Sequence, residues 1–245
     1  MNSLQYPKQR PIADTEFDYP VSQSIQHASP MRSPHSRRYS KSTESRATIL
    51  EAAGRMFAER GLAGARTEAI AAQAGVNKAL LYYYFKSKED IYWAVLDEHV
   101  TSFHVKALPL LSREGPAAPI LLEYVSHHFD FIRAHPHYPR LFQRMMMTGG
   151  RRGEQLVAER MIPVARKMDA LIRRGIRAGE MRPFDVFHTA VSLVALTVFY
   201  FNAAPIIRLV SGQDPFSVTN MRRRKAEVLR FIRYALLTDP EAPHQ

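Results

Sequence analysis

The chain contains no cysteine, which excludes a disulfide framework, a thiolate metal site and a cysteine nucleophile. Acidic residues are also scarce: 23 Asp and Glu stand against 34 Lys and Arg, for a formal net charge of +11. The N-terminus has no apolar segment of the kind found in secretory signals. A basic balance favours phosphate-rich partners, although a generally basic soluble protein would show the same charge.

Common catalytic signatures are missing as well. The sequence contains no HExxH, GxSxG or P-loop motif and no GxGxxG after a strand. It also shows no strand periodicity, no internal repeat and no coiled-coil heptads. With 245 residues and 46% hydrophobic content, the chain is long enough to bury a core. We therefore expect an all-α protein of about nine helices that is not an enzyme and uses no cofactor.

A stretch without charge lies in the C-terminal half. Residues 186–207 contain no Asp, Glu, Lys or Arg, and this length is near the roughly 20 residues that span a bilayer. His188, Ser192 and Asn202 interrupt the stretch, and Pro205 lies near its end. A helix that is apolar all round also suits the inside of a bundle or a subunit interface. We expect the second arrangement and no membrane partner.

Residues 1–41 are rich in Pro, Ser, Gln and Tyr and have no helical or strand period, so we expect a disordered extension. Arg32, Arg37, Arg38 and Lys41 make it basic just before the first helix, which Ser42 or Thr43 can cap. A basic arm of this kind can follow a DNA backbone or enter a minor groove. A solvated leader fits the composition equally well.

Residues 67–74 predict a short helix. Ile70 and Ala71 lie on one apolar face, and Thr67 can cap the start of the helix. Gly75 can end it, because glycine adopts the left-handed conformation at low cost.

A second short helix follows after a tight turn. Asn77 can cap it, and Leu81 and Phe85, four residues apart, supply its buried stripe. Lys78 and Tyr83 then lie on the outer face. Two short helices joined by a glycine-containing turn make a helix-turn-helix, and the polar outer face of the second helix suits a DNA major groove.

This stretch resembles the DNA-binding domain of the TetR family of bacterial transcriptional regulators. The matching signature is IAxxAGVxKxxLYxYFxxKxxI, from Ile70 to Ile91. The resemblance extends back through Ile49–Ala53 and Phe57–Gly61, and covers about residues 43–100. It implies a homodimer that reads a near-palindromic operator in double-stranded DNA.

The resemblance and the helical periodicity together predict the organisation of the chain. We expect a DNA-binding domain at 42–102, with the helix-turn-helix at about 65–85, and a regulatory and dimerisation domain at 103–245. A helix from Ser87 to about Ala107 bridges the two domains without a linker. The other long helices are predicted at about 43–60, 119–134, 138–147, 156–179 (bent near Pro163), 185–205 and 217–237.

The resemblance also implies which residues contact DNA. Thr67 and Lys88 are expected to contact DNA phosphates. Lys78 and Tyr82 are expected to contact phosphate or the DNA backbone. Asn77, Ala79 and Tyr83 are expected to lie nearer to the base edges. Many family members carry Ser or Thr just before Thr67, so here Arg66 or Thr67 must make that contact. Tyr84 is expected to pack. Leu80 stands where a small polar residue is frequent, which affects the operator sequence rather than DNA binding.

Aromatic and methionine side chains are frequent in the C-terminal half. Linings of this kind suit a small apolar or aromatic effector. The candidate ligand residues are His128, Phe129, Phe142, Met145, Met146, Phe187 and Phe199. Ordinary core packing is the alternative for each of them. His127-His128 and Asp185-x-x-His188 lack converging carboxylates, so we predict no metal site.

The resemblance implies a dimeric four-helix bundle built from the last two helices. The candidate interface residues are Val194, Val198, Phe201, Val228, Ile232 and Leu236. The basic run Arg222–Lys225 is expected to be a solvated face or to form salt bridges across the dimer.

The function that follows is a cytoplasmic transcriptional regulator, associated with the nucleoid when it is bound to DNA. We expect a repressor that a small-molecule ligand releases from its operator. The alternative is a ligand-independent DNA-binding dimer without an effector pocket.

Overall fold

The computed structural model describes residues 34–239, with side chains from Glu44 onward. This part of the chain is helical and contains no strand beyond an isolated bridge between Met181 and Leu237. The predicted all-α class is therefore confirmed. The helices are α1 Pro34–Gly64, α2 Thr67–Gln73, α3 Lys78–Tyr84, α4 Lys88–Leu111, α5 Ala117–Ala134, α6 Tyr138–Thr148, α7 Gly150–Leu156, α8 Ile162–Arg177, α9 Val186–Asn202, α10 Ala204–Ser211 and α11 Val218–Leu236.

The first helix begins earlier than predicted. It starts at Pro34 rather than at residue 42 or 43, because residues 35–43 contain neither proline nor glycine to stop it. The expectation of disorder is therefore not met over residues 34–41. The rest of the predicted extension, residues 1–33 with Arg32, lies outside the described residues.

Helices α1 to α4 share a first core. Ile49 and Phe57 of α1, Ile70 of α2, Leu81 of α3 and Ile91 of α4 are all fully buried in it. Their helical spacing in the sequence is what brings them to one side of each element.

The first core also receives residues from the C-terminal half. Leu141 and Met145 of α6 and Leu156 of α7 are buried against it, and the Tyr92 hydroxyl donates a hydrogen bond to the Leu141 carbonyl at 3.2 Å. The core of α1 to α4 therefore does not close on these helices alone. It is completed by a segment that lies beyond the predicted boundary at residue 102.

Helix α4 connects the cores. It is continuous for 24 residues and runs past Pro109 to Leu111, so it ends later than the predicted end near Ala107. Its early residue Leu96 lies in the first core, Phe103 in a cluster with α5 and α9, and Leu111 in the large C-terminal core.

The C-terminal half packs around α5, α8, α9 and α11. Leu121, Ile172, Leu193 and Ile232, one from each helix, are buried in the large core. A third cluster joins Phe103 to Phe129, Phe201 and neighbouring residues.

The long helix predicted from residue 156 is interrupted near Pro163, where its bend is expected. Between α7 and α8 the chain makes a π-helical turn at Val157–Met161, immediately before Pro163. Proline lacks an N–H and its ring clashes with the carbonyl four residues earlier, so a wider turn relieves both conflicts.

The uncharged stretch forms two helices rather than one. α9 ends at Asn202 and α10 leaves it at an angle of 68°, with Pro205 in the first turn of α10. Within the described residues no single helix is long and apolar enough to cross a membrane; the bent pair α9–α10 meets that test only by length and composition.

Candidate nucleic-acid interface

Helices α2 and α3 form the predicted helix-turn-helix. Gly75, with φ of 68°, turns the chain between them. The Asn77 side chain accepts a hydrogen bond from the Leu80 N–H at 2.7 Å and so caps α3. Leu81 and Phe85 bury the inner side of α3 in the first core.

The outer side of α3 is open to solvent. The Tyr83 side chain is 78% exposed and Tyr82 is 43% exposed, and Asn77, Lys78 and Ala79 are exposed beside them. Tyr84 is partly buried against the first core. The helix thus presents a lysine, two phenol groups and an amide on one accessible surface.

Lys78 is already engaged in this structure. Its ammonium pairs with the Glu68 carboxylate on α2 and lies 5.8 Å from the Tyr82 ring centroid. The hydrogen bond between Lys78 and Glu68 raises the pKa of Lys78 and lowers the pKa of Glu68. A phosphate that approaches Lys78 must therefore compete with Glu68.

Thr67 does not cap α2. The cap position is Arg66, whose side chain makes no capping hydrogen bond, and Thr67 is the first helical residue. The Thr67 hydroxyl lies 3.3 Å from the Tyr82 hydroxyl and is nearly buried. This pair joins the start of α2 to α3, while the Arg66 side chain remains exposed.

Lys88 has a structural role that the sequence did not reveal. Its ammonium donates to the carbonyl of Ala65 at 3.0 Å and more weakly to that of Ala63 at 3.4 Å, at the end of α1. Ser87 caps α4 by accepting from the Asp90 N–H. An ammonium has three donors, so a phosphate contact by Lys88 stays a prediction beside these two bonds.

The seven candidate ligand residues do not line one cavity. Phe142 and Met145 pack against the first core, and Phe129 is buried in the third cluster. Met146, Phe187 and Phe199 are each at least 65% exposed. The grouping is corrected accordingly: only His128 and Phe129 lie together in the interior of the C-terminal half.

His128 belongs to an interior aromatic cluster that the sequence analysis missed. The Phe103 ring stacks on His127 with centroids 5.1 Å apart and lies 5.2 Å from His128, which stacks in turn on Tyr124. His128 Nδ1 lies 2.9 Å from the Thr197 hydroxyl. Histidine and aromatic spacing on α4 and α5 was the available signal for this cluster.

Thr197 is the hydrogen-bond partner of His128. Its hydroxyl lies 2.9 Å from His128 Nδ1 and 2.9 Å from the Val194 carbonyl. Burial lowers the pKa of His128 to about 4, which keeps the ring neutral at neutral pH. Burial also raises the pKa of Tyr124 and of the nearby Tyr138. This interior therefore offers neutral hydrogen-bonding groups between aromatic rings.

The predicted dimer residues also divide into two groups. Phe201, Val228 and Ile232 are buried in the protomer's own cores, which corrects their assignment to an interface. Val194 is exposed, and Val198 and Leu236 are partly buried. The large exposed apolar side chains on the same two helices are Phe187, Val191, Val194 and Phe199 on α9, and Val218, Phe231 and Tyr234 on α11.

The described residues contain no group of three or more His, Cys, Asp or Glu side chains that could hold a metal ion. Neither His127-His128 nor Asp185 with His188 gathers further ligands. Asp185 instead caps α9 by accepting a hydrogen bond from the His188 N–H at 2.8 Å.

Two family models match the chain. One, described as bacterial regulatory proteins of the tetR family, matches residues 49–95. The other, described as the C-terminal region of YcdC-like proteins, matches residues 96–239.

Individual proteins are similar over much of the chain. The HTH-type transcriptional regulator RutR of Escherichia coli K12 is 32% identical over 166 residues, which cover 67% of this chain and 77% of RutR. The HTH-type transcriptional repressor SCO4008 of Streptomyces coelicolor is 33% identical over 135 residues, or 55% of this chain and 66% of the repressor.

A solved structure shows the same fold. The transcriptional regulator FadR of Bacillus subtilis, in complex with stearoyl-CoA, superposes with a TM-score of 0.58 at 21% identity. The match covers 75% of this chain and 97% of FadR.

Replacing Lys88 tests its role at the end of α1. Lys88→Ala removes both carbonyl contacts, and we expect the free energy of unfolding to fall by about 1 kcal/mol because those acceptors lose a charged donor. The measurement is urea denaturation without DNA. The control is Lys86→Ala, which changes an exposed lysine between α3 and α4. Its free energy of unfolding should stay within about 0.5 kcal/mol of the parent value. If the parent, Lys88→Ala and Lys86→Ala proteins unfold at the same urea concentration, Lys88 does not stabilise the end of α1.

Proposed function

The chain belongs to the TetR family of bacterial regulatory proteins, and from this premise we propose that it is a homodimeric, ligand-responsive repressor. Two copies of α3 would enter successive major grooves of a near-palindromic operator. A small molecule bound in the C-terminal half would weaken DNA binding. Because its target is chromosomal DNA, the protein would act at the nucleoid, as a regulator rather than an enzyme.

The observation that supports sequence-specific DNA binding is the difference in solvent exposure between the two sides of α3. Leu81 is fully buried, whereas Tyr83 on the other side is 78% exposed although it is a large aromatic residue. A seven-residue helix held by its buried side and its Asn77 cap presents a fixed surface to a partner. Lys78 and the tyrosine hydroxyls supply donors for phosphates and base edges.

Coupling between ligand and DNA would run through α4. Its first turn carries Lys88 against the end of α1, and its middle carries Phe103 in the interior aromatic cluster. On its outer side Asp90 pairs with Arg152 at 3.1 Å and Asp97 with Arg160 at 2.8 Å. A ligand that changed the position of Phe103 would shift this helix and with it the spacing of the two reading heads.

The proposed effector site is the interior around Phe103, Tyr124 and His128. A neutral imidazole and phenol groups among stacked rings favour a small molecule with an aromatic or apolar body rather than an ion. FadR, which has the same fold, binds stearoyl-CoA, so this architecture accommodates ligands with apolar chains. The ligand acts only if its affinity differs between the two states.

The proposed dimer would cover the exposed apolar side of α9 and α11. Phe187, Val191 and Val194 are separated by four and three residues, so they lie along one side of α9. Phe231 and Tyr234 extend an apolar surface on α11. We expect a second copy of the chain to cover this surface, because two-fold symmetry pairs the same surface on each copy.

A ligand-independent DNA-binding dimer is the second candidate. The observation in its favour is that the seven candidate ligand residues do not converge on one cavity. Apolar and aromatic compounds titrated into the protein–operator complex separate the two functions. Release of DNA by a compound supports the repressor, and no response across a broad panel supports the second candidate.

Tyr83 and Lys88 should affect DNA binding in different ways. We expect Tyr83→Ala to change preference among operators with single base-pair substitutions, by about tenfold at the bases it meets, because its exposed ring would reach the groove. Lys88→Ala should weaken all operators alike and reduce the salt slope by about one unit, as the loss of a phosphate contact does. Fluorescence anisotropy at several salt concentrations measures both. Uniform weakening by Tyr83→Ala would mean that it reads no base.

A charge placed on α9 should separate the protomers. Val194→Asp puts a carboxylate on the proposed interface, and we expect the dimer dissociation constant to rise by at least about tenfold because a buried, unpaired charge is costly. Sedimentation velocity measures the change. Val105→Asp, which changes a more exposed valine on α4 outside the proposed interface, is the control. If both variants dimerise like the parent, α9 does not form the interface.

A further inference from the structure

A cavity of about 240 Å³ lies among α9, α10 and α11, away from the interior aromatic cluster. The 68° bend between α9 and α10 forms one side, and the chain returns through Gly212, whose φ of 66° turns it towards α11. The apolar part of the lining is Tyr200, Ile207 and Pro215. The Tyr200 hydroxyl donates to the Pro215 carbonyl at 3.1 Å, which holds the ring in place.

Arg224 supplies an unneutralised charge to this cavity. Its guanidinium lies 5.3 Å from the Tyr200 ring centroid and donates through Nη2 to the Leu196 carbonyl at 2.9 Å. The Nε atom is buried and has no hydrogen-bond partner. Among residues 44–239, no carboxylate lies within ion-pair distance of Arg224. Burial lowers the pKa of Arg224, which reflects the cost of holding this cation without a counter-charge.

The neighbouring charges leave the cavity positive. Arg223 also lines it and, within the described side chains, has no ion-pair partner. The lining carboxylate Glu227 is directed to Arg230 at 2.9 Å. Lys225 pairs with Asp130 on the other side of α11. The basic run on α11 therefore splits: Lys225 joins α11 to α5, while Arg223 and Arg224 face the cavity.

We propose that this cavity binds a small monocarboxylate with an apolar or aromatic body. The carboxylate would accept from Arg224 and Arg223, because guanidinium forks match carboxylates in a bidentate geometry. The body would lie against Tyr200, Ile207 and Pro215. The volume is below the usual range for drug-sized ligands, which indicates a small molecule.

The charge balance selects a carboxylate over a phosphate. A phosphate dianion is costlier to desolvate, and Glu227 in the lining would repel its second charge. A neutral amide of the same shape would leave Arg224 without a counter-charge. The inference concerns ligand binding alone and rests on neither DNA binding nor release.

Titration of the full-length protein with benzoate, without DNA, tests the proposal. Isothermal calorimetry or ligand-observed NMR should detect saturable binding with a dissociation constant of about 1 mM or tighter. Benzamide, the neutral isostere, and inorganic phosphate should bind at least about tenfold more weakly. Equal binding of benzamide, preferred binding of phosphate, or no saturable binding of benzoate would each overturn the proposal.

Three variants locate the benzoate. Arg224→Gln should weaken binding by at least about tenfold, because the charge-assisted contact is lost. Ser211→Glu, a change of an exposed lining residue, should weaken it similarly by placing a competing carboxylate beside the arginines, without removing any contact of Arg224. Arg222→Gln, outside the lining, should bind as the parent does. Benzoate binding that persists in both lining variants would overturn the assignment to this cavity.

Discussion

Helix α4 is the constraint on which the arrangement of the two halves depends. It is continuous from Lys88 to Leu111, and its successive turns are buried in three different cores. Neither half can move far without disturbing the packing of the other, because buried apolar residues such as Leu96 and Phe103 lie on one rigid element. The surface pairs Asp90–Arg152 and Asp97–Arg160 each contribute at most about 1 kcal/mol, and they join α7 and the π-helical turn at Val157–Met161 to α4.

The reading helix depends on this framework. A helix of seven residues is not stable alone in water, so α3 owes its conformation to the first core and to the Asn77 cap. That core is completed by Leu141 and Met145 from the regulatory half. The contacts that hold the proposed DNA-binding surface therefore include residues of the C-terminal half.

The sequence was most informative where local chemistry is specific. The Asn77 cap, the Gly75 turn and the Leu81–Phe85 stripe were each predictable, because each rests on residue type and short-range spacing. The sequence could not separate core from surface on α9, since a helix without charges has no polar side to mark solvent. Phe201 and Phe199 differ only in which side of α9 they occupy. Likewise the roles of Lys88 at Ala65 and of Thr67 at Tyr82 depend on contacts between elements that spacing does not encode.

Selection of bound sites from random double-stranded DNA, with the full-length protein at a fixed salt concentration, tests whether α3 reads an operator. We expect an enriched inverted repeat whose half-sites lie about one helical turn apart, about 10 base pairs from centre to centre, because two copies of α3 must meet successive major grooves. Binding that enriches no motif and disappears at moderate salt would contradict it, because the net charge of +11 would then account for all contact with DNA.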